Sequence, residues 1–216
     1  MITLQLVDSL DVIEKNIAKA LSELANNIIL QNQNNILNRC KSLAKGWILS
    51  QPEMMSLSSS SPESLAGQLG IYAGSATRII QGIASAVENS LSIKMVKFDN
   101  KLKGGIEVNF QPSNFVNLLS LSEGHIIFNG GDLHWLDWLL KRGDNIIVVN
   151  YQYNPESGLG RSGLGNMIPG GAFRIPPEYS GTDDDNFVTR ALIGTQQEKQ
   201  ISKIFQDILK WQIILN

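Results

Sequence analysis

The chain has 216 residues, with 18 Lys and Arg against 20 Asp and Glu, and a net charge of −2. Only 18% of it is charged, where soluble domains average about 25%, and no run of like charges suggests a nucleic-acid tail or a basic membrane-attracted segment. Ser, Thr, Asn and Gln dominate the hydrophilic side instead, so free-standing nucleic-acid binding is not expected and a surface covered by other subunits is.

From Ile13 the apolar positions Ile17, Leu21, Leu24 and Ile28, then Ile36, Cys40, Leu43 and Trp47, fall at spacings that predict one long helix from Asp8 or Ser9 to about Ser50. Pro52 pushes its predecessor out of the α region and should end it. The stretch 26–38 is crowded with Asn and Gln, which implies either a break or a polar partner along the helix. Residues 1–55 are thus expected to form an N-terminal helical segment. A serine-rich spacer, 56–61, marks the expected boundary to an α+β domain over 56–216.

In that domain, Ser61-Pro62-Glu63 carries a helix-start signature. A second amphipathic helix follows Gly74 and Ser75 through Ile79, Ile80, Ile83, Val87 and Leu91. The class then changes: residues 93–98 and 106–110 alternate with strand period around turn residues 99–105 and predict a hairpin with Gly104 and Gly105 at its end. Residues 115–121 and 123–128 are ambiguous. Asp132 reads as an N-cap for a helix over 133–142 stopped by Gly143. Strands are expected over 145–153 and 172–175, closed by Pro176-Pro177, with a glycine-rich loop, 154–171, between them. Asp183, Asp184 and Asp185 head a single final helix whose apolar face runs from Phe187 to Ile208. The order predicts an α+β fold: a long N-terminal helix, a small antiparallel sheet with a hairpin, and a C-terminal helix.

Chemical motifs are weak. Gly158-Leu-Gly160-Arg-Ser-Gly163 matches the dinucleotide fingerprint, but the segment that follows, Leu164 to Gly171, cannot be the helix that would receive a pyrophosphate. Ser162 lacks the final glycine and the elbow of a hydrolase nucleophile. With two histidines, His125 and His134, and a lone Cys40, too few ligands are apparent for a structural metal site, and Cys40 reads as a buried thiol with no disulfide partner. His134 near Asp132 and Asp137 could be a general base held by a carboxylate, although a packed helix-face ring is the simpler reading. Trp135 and Trp138 read as core. The loop 154–171 is too long for a simple turn, and its apolar members suggest ordering by a neighbouring chain. Tyr153, Leu159, Arg161, Leu164, Met167 and Ile168 are the expected subunit-interface residues. No cofactor, catalytic residue or metal is assigned. The chain start lacks a signal-peptide pattern and no apolar run reaches 18 residues, so a soluble protein made in the cytoplasm is expected.

The run Gly170-Gly-Ala-Phe-Arg-Ile-Pro-Pro-Glu-Tyr-Ser-Gly-Thr182, with Asp185 to Leu192 after it and Arg161-Ser162-Gly163 upstream, resembles the C-terminal region of tailed-bacteriophage neck and tail-completion proteins, including the minor-tail-protein-Z-like group. The resemblance covers about residues 120–210. It implies a structural, non-enzymatic virion protein in which copies form a ring of six or twelve where head meets tail. Such a ring would contact neck, portal or tail proteins, with double-stranded DNA passing through the lumen and no specific nucleic-acid binding, and would be assembled in the host cytoplasm. Arg174, Tyr179, Asn186 and Arg190 would then hold a structural corner between strand and helix. Two alternatives stand beside this: a small enzyme centred on His134, and a phage assembly chaperone.

Overall fold

The computed structural model describes residues 8–110, 114–128, 131–158 and 160–215 and is α+β, with a long N-terminal helix, a C-terminal helix and small antiparallel sheets. Helix α1, Leu10–Leu49, is continuous and about 60 Å long at 1.5 Å per residue. The amide-rich stretch does not break it. Asn32 turns its side chain back to the Ile28 carbonyl at 2.8 Å. Asn26 pairs with the backbone of Phe98 at two points, accepting from its N–H at 2.8 Å and donating to its carbonyl at 3.1 Å. A polar partner, a backbone beyond the end of a strand, is what the amides meet.

The chain divides into two compact units, and the division does not follow the expected boundary at residue 56. Unit 1 gathers residues 1–40, 92–109 and 199–216. Its hairpin pairs β1, Ser92–Val96, with β2, Gly105–Asn109, in the register Ile93↔Val108 and Met95↔Ile106, as the alternation predicts. Asp99 closes the turn by accepting from the backbone N–H groups of Lys101 and Lys103 at 2.8 and 2.9 Å, bonds that hold its carboxyl below the usual range. Ile28, Ile29, Ile36 and Cys40 from α1 are buried, as are Ile204 and Ile208 near the C-terminus. Burial pushes the Cys40 thiol up, as expected for an inert structural cysteine.

Unit 2 comprises residues 41–91 and 110–198. Pro52 both stops α1 and opens α2, Pro52–Ser58, at the first helical position, where its missing N–H costs nothing. The serine spacer is therefore partly helical and inside this unit: Ser56 is buried and accepts from the Leu65 N–H at 2.9 Å. The start signature at residues 61–63 is displaced to Ser64, whose hydroxyl caps α3, Leu65–Gln68, through the Gly67 N–H. Helix α4, Ala76–Ser90, buries Ile79, Ile80, Ile83, Ala84 and Val87, as its periodicity predicts. The ambiguous stretch becomes a turn of helix, α5, Val116–Leu119, and strand β3, Ile126–Phe128.

Three expectations are corrected in the C-terminal half. Asp132 is not a helix cap: it lies in β4, Gly131–Leu133, paired with β3, and α6 begins later, at Trp135–Asp137, continuing as a π-helical turn over Trp138–Arg142 to Gly143. The expected 154–171 loop is shorter, because its two ends, 154 and 166–171, belong to a ladder. Strand β5, Val148–Asn154, pairs with β6, Asn166–Phe173, from Val148↔Phe173 to Asn154↔Asn166, so only residues 155–165 connect them. Pro169 and the two glycines after it suggested loop, but a two-stranded ribbon has free edges and needs no second ladder N–H there. The single final helix is two, α7, Phe187–Leu192, and α8, Thr195–Leu215, separated by Ile193-Gly194. The core of unit 2 holds Trp135, Leu136, Leu139 and Leu140 of α6 against Phe187, Val188 and Ala191 of α7, with Phe173 and Ile175 also buried. Among the described residues, no helix is long and apolar enough to cross a membrane.

Candidate functional site

Strand alternation assembles the most chemically distinctive group in unit 2. The register Ile126↔Leu133 and Ile127↔Asp132 places Ile126 and Leu133 on one face of the β3–β4 hairpin. His125, Ile127, Asp132 and His134 share the other face. Ile126 and Leu133 help to line a cleft of about 330 Å³ with Gly70, Tyr153, Arg161 and Phe173. On the opposite face the imidazole Nδ1 of His125 lies 2.9 Å from Asp132 Oδ2, and His134 Nε2 lies 3.3 Å from the same oxygen. The two rings sit 3.6 Å apart between centroids, tilted by 51°. The hydrogen bond from His125, more than any other influence, holds the Asp132 carboxyl below the usual range.

The sequence suggests His134 with Asp132 or Asp137. The structure brings His125 in and takes Asp137 out, since the Asp137 carboxylate is bound by the Nε of Arg142, whose guanidinium also stands 4.8 Å over the Trp138 ring. A signal was present: Asn129-Gly130-Gly131 is a hairpin-turn sequence between an Ile-rich run and Asp-Leu-His. Folding that pair in register puts both histidines beside Asp132.

In the connection 155–165, Arg161 and Ser162 make contacts within their own unit. Arg161 donates from Nε to the Gly70 carbonyl at 2.9 Å and from a terminal nitrogen to the Ile127 carbonyl at 3.1 Å, with its guanidinium 5.6 Å from the Tyr72 ring. Ser162 is buried, and its hydroxyl donates to the Gly67 carbonyl of α3 at 3.4 Å and accepts from the Leu164 N–H at 3.2 Å. Tyr153 donates its hydroxyl to the Pro62 carbonyl at 2.6 Å, and burial raises its phenol. Gly160 is required by close approach: a Cβ there would stand 1.7 Å from the Gly165 carbonyl oxygen. Leu164, Met167 and Ile168 are half-buried, and Leu159 lies outside the described residues. The glycine fingerprint runs into strand β6, so the helix a dinucleotide site needs is absent where the motif requires it.

Of the four expected corner residues, Asn186 and Arg190 act together and two do not. Asn186, fully buried, caps α7 by accepting from the Val188 and Thr189 N–H groups, and its own N–H donates to the Thr189 hydroxyl at 2.9 Å, which completes a reciprocal capping box. Its amide also donates to the Thr182 carbonyl at 2.8 Å. Arg190 binds Asp185 at 2.7 Å and the carboxylate of Glu53, a residue the sequence did not single out. Glu53 sits at the start of α2 with no solvent exposure, and its Oε2 has no hydrogen-bond partner among the described residues. Gly181 lets the chain touch α6, its N–H donating to the Trp138 carbonyl at 3.0 Å and leaving no room for a Cβ against Leu139 O at 1.9 Å. Arg174 faces Asp144 at 3.7 Å on the surface instead, and Tyr179 joins the turn through its backbone N–H to Pro176 O.

Comparison with protein-family models, with curated proteins and with solved structures gave no match.

Proposed function

We propose that this chain is a structural virion protein of a tailed bacteriophage, one subunit of a ring at the head–tail joint, as a neck, tail-completion or terminator component. The observation that carries the reading is an apolar face of α1 that stands exposed among the described residues. Leu10, Ile17 and Leu21 follow at spacings of seven and four, which places them on one side of the helix, and they are 70%, 54% and 44% exposed. A helix that leaves such residues in water gains free energy when a second surface covers them, at roughly 25 cal/mol per Å² of apolar area. Repetition of one such contact around an axis is how a cyclic ring closes. The resemblance of residues 170–192 to tail-completion proteins supplies the location, and the low charge of the surface suits burial against other subunits.

Quantitative mass spectrometry of purified particles, normalised to the portal protein, tests the reading. Six or twelve copies per particle are expected; hundreds would move the chain to the tube or capsid. Absence from finished particles would replace the reading by that of an assembly chaperone.

A further inference from the structure

We infer that His125, Asp132 and His134 form a binding site for a first-row divalent transition metal ion of the Zn²⁺ type. Three donors converge at the open end of the β3–β4 hairpin: one ring nitrogen from each of His125 and His134, which flank the paired strands, and one carboxylate oxygen of Asp132 in β4, all within 4.8 Å of one another. Around a tetrahedral ion with bonds of about 2.0–2.1 Å, ligand atoms stand roughly 3.3 Å apart. The Asp132 oxygen already lies 2.9 and 3.3 Å from the two nitrogens, so the group approaches the required spacing before an ion arrives. Side-chain rotation alone can supply the remaining adjustment, because all three lie on a short hairpin whose backbone register is fixed by pairing.

The donor set selects the ion. Two imidazoles and one carboxylate suit Zn²⁺, Co²⁺ or Ni²⁺, whereas Mg²⁺ and Ca²⁺ prefer shells of oxygen. Three protein ligands leave at least one position for water or another donor, the arrangement of an open site and not of a closed structural one. The side chains are 24%, 43% and 51% exposed in chain order, so an ion from solvent reaches them without unfolding. Without the ion, one carboxylate oxygen must serve both rings; with it, each nitrogen lone pair has its own bond to the metal. The inference is independent of the ring assignment, since it uses only the hairpin.

The test is calorimetric titration of the untagged full chain with Zn²⁺, in parallel with His134→Gln and Asp132→Asn, plus the visible spectrum of the Co²⁺ form. The expected result is one ion per chain, displaced by neither Mg²⁺ nor Ca²⁺. Each variant should lose more than the about 10–100-fold in affinity that even outer-shell changes cost. The Co²⁺ spectrum should show ligand-field bands without a thiolate charge-transfer band, which separates this site from Cys40. His134 is half exposed, so its variant should keep the circular dichroism of the parent, and the Co²⁺ spectrum reads the site in the unmodified chain in any case. Equal affinity in parent and both variants, a thiolate band, or no saturable Zn²⁺ binding would overturn the inference.

Discussion

The carboxylate of Glu53 is fully buried and is met by the guanidinium of Arg190, 137 residues further along the chain, which also holds the exposed Asp185. This contact ties the start of α2 to α7. A buried charge deprived of its partner is costly, about 3–5 kcal/mol when both groups are fully enclosed. Arg190 is about a third exposed, so Arg190→Met should cost somewhat less, about 2–4 kcal/mol. Adding Glu53→Gln to that variant should restore part of the loss. Urea unfolding of the two single variants and the double variant measures the coupling.

The same carboxyl predicts a pH dependence. Burial holds Glu53 above its ordinary value of 4.5, with Arg190 pulling the other way and Asp185 adding to the rise. Between 4.5 and its folded-state value the native protein therefore binds more protons than the unfolded chain, so this group's contribution to stability falls as pH rises through that window and is level above it. Glu53→Gln has no such titration. Its stability relative to the parent should improve from pH 4.5 upward, and parallel profiles in urea titrations across that range would exclude Glu53 as their cause.

Asn186 fills several hydrogen-bonding roles at once, capping α7 while its amide binds Thr182 and lies against Leu140 O at 3.4 Å. Replacing it by Ala removes the cap and strands buried groups, for a loss of about 2–3 kcal/mol. Asn186→Asp should keep the cap but lose the amide donations, and so fall between the two in thermal denaturation.

At Gly160 even the smallest side chain meets a backbone carbonyl, which cannot yield like a side-chain tip. Gly160→Ala should destabilise by at least about 2 kcal/mol. It should also speed amide exchange in residues 160–165, where the Ser162 and Leu164 contacts are made. A change confined to exchange near Asn186 would show that the connection is not what the glycine protects.

Ile17→Glu with Leu21→Glu places two charges on the bare face of α1. Both positions are exposed, so monomer stability should change by no more than about 0.5 kcal/mol each. Self-association in sedimentation should weaken strongly. Unchanged association would move the subunit contact elsewhere.

Elements whose pattern is local were legible in the sequence. Helix α1, helix α4 and the β1–β2 hairpin each announce themselves by spacing within a dozen residues, and the structure keeps their bounds to within a few positions. Signals with two meanings were not. Pro52 ends one helix and begins the next, Asp132 resembles a cap yet occupies a strand, and Pro169-Gly170-Gly171 resembles a loop within β6. In each case pairing or packing with a distant segment decided between two locally acceptable conformations. The partners of Arg190 and His125 were hidden for a related reason: Glu53 is remote in sequence, and the His125–Asp132 contact exists only once the register of a hairpin is known.

Unit 1 is assembled from three separated stretches, with Arg39 bound to Asp207 across 168 residues of chain. A polypeptide made from its N-terminus therefore carries the first part of α1, and then β1 and β2, through the synthesis of nearly everything else before α8 arrives. Unit 2, complete by residue 198, can close first. Until residues 199–216 are made, unit 1 lacks one of its three stretches, so nascent chains stalled short of residue 199 should be those most readily held by chaperones.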